Sequence, residues 1–141
     1  MYSTRPAQLS DYEFLFELKK AAEFEPIKAV FGWDESMQRD IHHSEWSQAK
    51  PTIIEVDGRS VGSYLVQKHD THWDFGRFFL LPEAQGKGVG TKILRLILDQ
   101  ADNANMPVQL CYLQGNRVGQ LYRRLGFTVI SEDAQFVHMR R

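Results

Sequence analysis

The stretch Leu80-Leu81-Pro82-Glu83-Ala84-Gln85-Gly86-Lys87-Gly88-Val89-Gly90-Thr91 decides how this chain folds. Residues 72–81 before it read as a strand rich in aromatic residues, and Pro82 ends that strand. After it, Ile93, Leu94, Ile97, Leu98 and Ala101 recur at helical spacing. A strand, a glycine-rich turn and a helix start together make a device for holding phosphate. The first N–H groups of a helix have no partner inside it, and the helix dipole adds partial positive charge there. Glycine lets the backbone close on a ligand with no Cβ in the way. Lys87 adds a full positive charge. The same glycines also suit a plain connection, and the turn alone leaves both readings open. The Walker pattern G-x-x-x-x-G-K-[ST] is absent. The dinucleotide pattern G-x-G-x-x-G, begun at Gly86, needs glycine where Thr91 stands.

Working outward, the sequence predicts a short strand near Tyr2–Ala7 and then a helix to about Ala22. Ser10 and Glu13 form an S-x-x-E capping box, with Leu9 and Phe14 at the staple positions. Residues 23–35 read as a connection, since Pro26 and Gly32 discourage a continuous helix. Asp34 caps a second helix to about Gln48. Runs at 52–56 and 60–67 flank Asp57-Gly58, a strong hairpin signal because both turn positions need positive φ. Beyond the glycine turn, residues 108–113 read as a buried strand, Asn116 caps a short helix, and Gly126 fits the left-handed position past its end. Two last strands close the chain. The expected architecture is α/β to α+β: a mixed sheet of about seven strands with about four helices, in a single domain spanning residues 1–141.

Composition narrows the function. At 141 residues, 43 % apolar and 25 % charged, the chain matches an ordinary globular domain. No apolar run approaches a spanning helix, so no membrane partner is expected. The start carries no secretory pattern, and one cysteine fits a reducing compartment, so the expected location is cytoplasmic. Residues 1–70 carry eight Lys/Arg against twelve Asp/Glu, while residues 71–141 carry nine against six. A net charge of −1 argues against nucleic acid as a partner. The basic half is the one that holds the glycine turn, which suits an anionic ligand, and ordinary scatter of surface charge accounts for the same asymmetry.

Two segments carry a resemblance. Gln85, Gly88 and Gly90 fill the fixed positions of Q/R-x-x-G-x-G/A, and Asn116-Arg-Val-Gly-Gln-Leu-Tyr122-Arg-Arg-Leu-Gly-Phe127 follows about 26 residues later. Together they resemble the acyl-CoA signature and the downstream segment of the Gcn5-related N-acetyltransferase superfamily, along essentially the whole chain. The resemblance implies a splay between the fourth and fifth strands, with the pantetheine arm of acetyl-CoA lying there. It implies that Leu80 and Leu81 pair with that arm through their backbones. The amides of Gly86, Lys87, Gly88, Val89, Gly90 and Thr91 would hold the pyrophosphate, Gln85 would brace the loop, and Asn116 would contact the arm. Arg123 or Arg124 would reach the adenosine phosphates.

The chemistry implied is direct attack of a small-molecule or peptide amine on an acetyl thioester, with both reactants held in one cleft. A backbone N–H near Leu80 would polarise the carbonyl. Tyr122 matches the family's general acid, and a phenol, with an ordinary pKa near 10, keeps its proton at neutral pH. The resemblance puts Glu23, Glu25, Asp34 and Glu35 in the connection that forms the acceptor side, with Trp33 and Glu35 bordering the pocket and Glu35 assigned to catalysis, while Asp74 and His72 are further candidate bases on the strand leading to the cofactor site. The acids favour a cationic acceptor. The alternative function is a non-catalytic acyl-CoA-binding module. No metal is expected, because His42-His43 and His69-x-x-His72 lack cysteine partners and a recognised spacing. Cys111 is expected to be a small buried residue. A homodimer through the last strands is an expected assembly.

Overall fold

The computed structural model describes residues 1–141. The elements are β1 (Tyr2–Pro6), α1 (Tyr12–Phe31), α2 (Glu35–Gln48), β2 (Thr52–Val56), β3 (Arg59–Lys68), β4 (Trp73–Leu80), α3 (Val89–Asn103), β5 (Val108–Leu113), α4 (Val118–Arg124), β6 (Thr128–Glu132) and β7 (Phe136–Arg140). Short 3-10 turns precede α1 and follow β4. The seven strands form one mixed sheet in the order β1-β2-β3-β4-β5-β7-β6. Strand β4 is parallel to β5, and the other paired strands with assigned register are antiparallel. This is the mixed seven-stranded class with four α-helices that the sequence pattern predicts.

The chain divides into two compact units, Met1–Leu65 with Arg77–Gln85, and Val66–Gly76 with Gly86–Arg141. In the first unit, Asp57 and Gly58 take φ of 52° and 79° and close the β2–β3 hairpin, as the Asp-Gly signal requires. Leu15 and Leu18 of α1 pack on Ile53 of β2, with Phe14, Trp46, Phe79 and Leu81 around them. Asp34 Oδ1 accepts the Met37 N–H at 3.0 Å and caps α2.

Helix α1 departs from its sequence reading at both ends. Its start is fixed by Asp11, not by Ser10 and Glu13. The Asp11 carboxylate accepts the Gln8 N–H at 2.7 Å and two bonds from the Arg5 guanidinium at 2.8 and 2.9 Å. Arg5 on β1 also reaches Glu55 of β2 at 3.2 Å, so strand and helix start are tied by one side chain. Leu9 is 78 % exposed and makes no staple. At the other end, α1 runs through Pro26 to Phe31 and stops at Gly32, whose φ is 78°. A proline inside a helix costs about 3 kcal/mol. Burial of Ile27, directly after it, offsets that cost. Packing of the Phe24 ring 5.2 Å from Trp33 and 5.8 Å from Lys28 Nζ adds to it.

In the second unit, the helical stripe Ile93, Leu94, Ile97, Leu98 and Ala101 is buried, as its spacing predicts. Strand β7 pairs with β5 from Gln109↔Arg140 to Leu113↔Phe136, and with β6 on its other side. Cys111 corrects its expectation: it is exposed, because alternation along β5 turns it away from the face that buries Val108 and Leu110.

Arg5 holds the Asp11 carboxyl below the usual carboxylate range, with the Gln8 amide helping and burial opposing. A depressed carboxyl stabilises the fold above its unfolded pKa of about 4, and that share is lost as pH falls through the lower folded value. Asp11→Asn is therefore expected to cost about 1–3 kcal/mol at pH 7. Urea titrations across the acid range should show the stability gap to wild type closing as pH falls.

Candidate functional site

The site's first part is the end of β4. The β4–β5 ladder contains the register pairs Trp73↔Val108 and Asp74↔Gln109, at the N-terminal ends of both strands. Three residues on, Arg77 takes φ 46°, a left-handed conformation that costs a non-glycine residue about 1–2 kcal/mol. Its own side chain holds it there. Nη1 donates to the carbonyls of Glu45 in the last turn of α2 at 3.1 Å and of Ala49 just past its end at 2.7 Å, and Nε lies 3.3 Å from Glu45 Oε2. The Arg77 carbonyl in turn accepts the Ser63 hydroxyl at 2.9 Å.

Beyond that kink the strand is seated tightly. Gly62 of β3 has no room for a side chain: a Cβ there would stand 2.5 Å from the Phe79 carbonyl oxygen and 2.7 Å from Leu80 Cδ2. The Leu81 N–H donates to the Val61 carbonyl of β3 at 2.8 Å. Strand alternation therefore turns the Leu80 N–H to the edge away from β3. Gln85 Nε2 donates to the Leu80 carbonyl at 2.9 Å and closes the segment on itself.

In the second unit, Gly86, Lys87 and Gly88 are exposed, with φ of 74° at Gly86 and 81° at Gly88. Gly88 is the N-cap of α3, and its carbonyl takes the first helical bond from Lys92 at 3.0 Å. The amides of Val89, Gly90 and Thr91 belong to the first turn and have no acceptor within the helix. Asn116 Oδ1 accepts the Val118 N–H at 3.0 Å, which fixes the side chain and leaves its NH2 end as donor. Tyr122 of α4 is buried among Phe75, Tyr112 and Phe127, at ring centroid distances of 6.5, 5.9 and 5.7 Å. Gly119 makes room for the Tyr112 phenol, which a Cβ would strike. Arg123 and Arg124 are exposed in the last turn of α4.

The acceptor-side acids separate by environment. Glu35 is exposed, and its Oε1 accepts Trp33 Nε1 at 2.9 Å and Lys20 Nζ at 3.0 Å. Those two partners hold its carboxyl below the usual range. Burial pushes the Glu23 carboxyl up, and the neighbouring Glu45 adds to this against Lys19. Asp34 is engaged as a helix cap, and Glu25 is exposed. His42 is buried in the first unit, donates from Nε2 to the Tyr12 carbonyl at 2.9 Å and packs tilted against the Tyr12 ring at 4.5 Å, so its use is packing. Arg77 went unnoticed in the sequence because nothing local marks an arginine that closes a distant helix.

Comparison with known proteins bears on these features together. The family model described as an acetyltransferase (GNAT) domain matches residues 48–129, more than half of the chain. A GCN5-like protein acetyltransferase of Mycobacterium tuberculosis is 35 % identical over 68 residues, which are 47 % of this chain and 33 % of that protein. The match thus spans about a third of that relative's length. Among solved structures, PaiA N-acetyltransferase of Thermoplasma acidophilum, in complex with coenzyme A, superposes with a TM-score of 0.75 at 16 % identity, covering 100 % of this chain and 98 % of the other. The ribosomal-protein-S18-alanine N-acetyltransferase of Escherichia coli gives 0.73 at 14 % identity, over 99 % and 92 %. At such identities these two likenesses speak for the fold.

Removing the Arg77 clamp separates backbone from side chain. Arg77→Ala is expected to lose about 1–3 kcal/mol of stability, and Arg77→Gly to recover about 1 kcal/mol of that by freeing the left-handed residue. Equilibrium urea unfolding of the two variants checks the order.

Proposed function

This chain belongs to the GNAT acetyltransferase family, and from that premise we propose that it moves the acetyl group of acetyl-CoA to a primary amine of a small molecule or peptide, by direct attack with both reactants bound. The observation that carries the reading is the Leu80–Thr91 segment: a strand end braced by Gln85, followed in the chain by the exposed Gly86-Lys87-Gly88 turn and the first-turn amides of a fifteen-residue, deeply packed helix. The residues fit coenzyme A on their own chemistry. Glycines with positive φ and unpartnered first-turn amides suit a pyrophosphate, and Lys87 adds charge. A strand edge with an outward N–H at Leu80 suits an amide-bearing arm, and the fixed Asn116 amide offers a further donor.

Acetyl-CoA supplies an acetyl group activated as a thioester. The chain's part is to hold, polarise and manage protons. Gly86 to Thr91 hold the anionic end, while Leu80 and Leu81 hold the arm. The Leu80 N–H donates to the acyl carbonyl and stabilises the charge that develops there. Tyr122 holds a proton at Oη for the departing sulfur. Glu23, whose carboxyl burial holds up, suits the acceptance of a proton from the amine. Glu35 keeps its negative charge and, with Trp33, suits attraction of a cationic acceptor. A homodimer through the last strands would use β6, an exposed edge strand that shows Ile130 to solvent.

The test is a panel of amines with acetyl-CoA, read as free thiol. Release with cationic amines supports the proposal. Binding of acetyl-CoA with no release for any amine leaves a non-catalytic binding module, and a preference for anionic acceptors removes the role given to Glu35. Tyr122→Phe is expected to lower kcat by about 10²–10⁴ with circular dichroism unchanged. An unaltered kcat takes Tyr122 out of the mechanism.

A further inference from the structure

The β3–β4 hairpin gathers three side chains that the acyl-transfer reading does not use. His69 and His72 flank the two-residue tip Asp70-Thr71, and the His69 N–H donates to the His72 carbonyl at 2.9 Å. That bond sets the two residues opposite each other, with side chains on one face. Strand alternation puts Asp74, two residues past His72, on the same face. The backbone alone thus directs two imidazoles and a carboxylate to one spot. The side chains meet there. Asp74 Oδ2 accepts His69 Nε2 at 2.9 Å, and Oδ1 lies 3.2 Å from His72 Nε2. The imidazole rings lie 4.9 Å apart, and one ligand atom from each residue falls within 4.8 Å of the other two.

We propose that His69, His72 and Asp74 bind a divalent transition-metal ion of the zinc class. In a tetrahedral zinc site with ligands at about 2.0–2.1 Å, neighbouring ligand atoms stand roughly 3.3 Å apart. Each imidazole already stands near that distance from one oxygen of Asp74, His69 from Oδ2 and His72 from Oδ1, so binding through a single oxygen needs a turn of the carboxylate and closure of the two imidazoles. Thr71 Oγ1, 3.0 Å from His72 Nδ1, orients that ring from behind and leaves Nε2 as the ligating atom. Two imidazoles with one carboxylate select zinc, cobalt or nickel over magnesium and calcium, which take oxygen ligands. The fourth position is left to water. The ion ties β3 to β4 beside the pairs Trp73↔Val108 and Asp74↔Gln109, which makes it a staple of this unit, not part of the acyl chemistry. The pattern H-x-x-H-x-D hides this in sequence, because the third ligand joins only once the strand is pleated.

The experiment uses the full chain, freed of metal by a chelating resin and titrated with Co²⁺ and then Zn²⁺. One equivalent of Co²⁺ should bind with a visible d–d band, Zn²⁺ should displace it, and Zn²⁺ should raise Tm by mass action. His69→Gln, His72→Gln and Asp74→Asn should each weaken binding by at least about tenfold, with circular dichroism and metal-free Tm unchanged. Cys111→Ser should bind as wild type does. Absence of stoichiometric binding, or equal affinity in the three ligand variants, overturns the proposal.

Discussion

A single guanidinium sets the end of β4. Arg77 turns the strand's backbone into the left-handed region while its side chain closes the last carbonyls of α2. Each half of that arrangement needs the other. The strained backbone would relax without the clamp, and the last carbonyls of α2 would lose a charged donor. Downstream of the kink, Gly62 and the Val61–Leu81 bond fix Phe79 to Leu81 against β3. The outward N–H of Leu80 follows from that seating. The polar end of the strand is thus positioned by a helix contact and not by catalytic residues themselves.

Most of the fold was legible because its signals are local. The Asp57-Gly58 turn, the Asp34 cap, the stripe on α3 and the left-handed Gly126 each depend on a few neighbouring residues. The misreadings have a common cause. Ser10 with Glu13 is a good capping box in isolation, but Arg5, far enough away to sit on β1, recruits Asp11 instead. Pro26 ends an isolated helix, but Ile27 has a buried seat in this one. Cys111 lies in an apolar run, yet the pleat decides which of its neighbours face inward. Tertiary packing overruled the local pattern in each case.

The candidate site divides the same way. Groups that act through backbone leave a mark in sequence, because glycines and a proline must stand where the chain turns. Groups that act through ionisation leave little. Glu23 and Glu35 are both acids in one acidic stretch, and only their surroundings separate them: burial for Glu23, an indole and an ammonium for Glu35. The hairpin histidines are a third kind, legible only as a pair until alternation supplies the carboxylate.

The proline within α1 has one more consequence. A ladder with a missing rung gives way there first. Ala22 has lost the amide that its carbonyl would have received from residue 26, so fraying at that turn breaks fewer bonds than it would nearer Phe16. Residues 24–31 are thereby the part of the helix that opens with least disturbance to Leu15 and Leu18, and the buried Ile27 is the contact such opening must break.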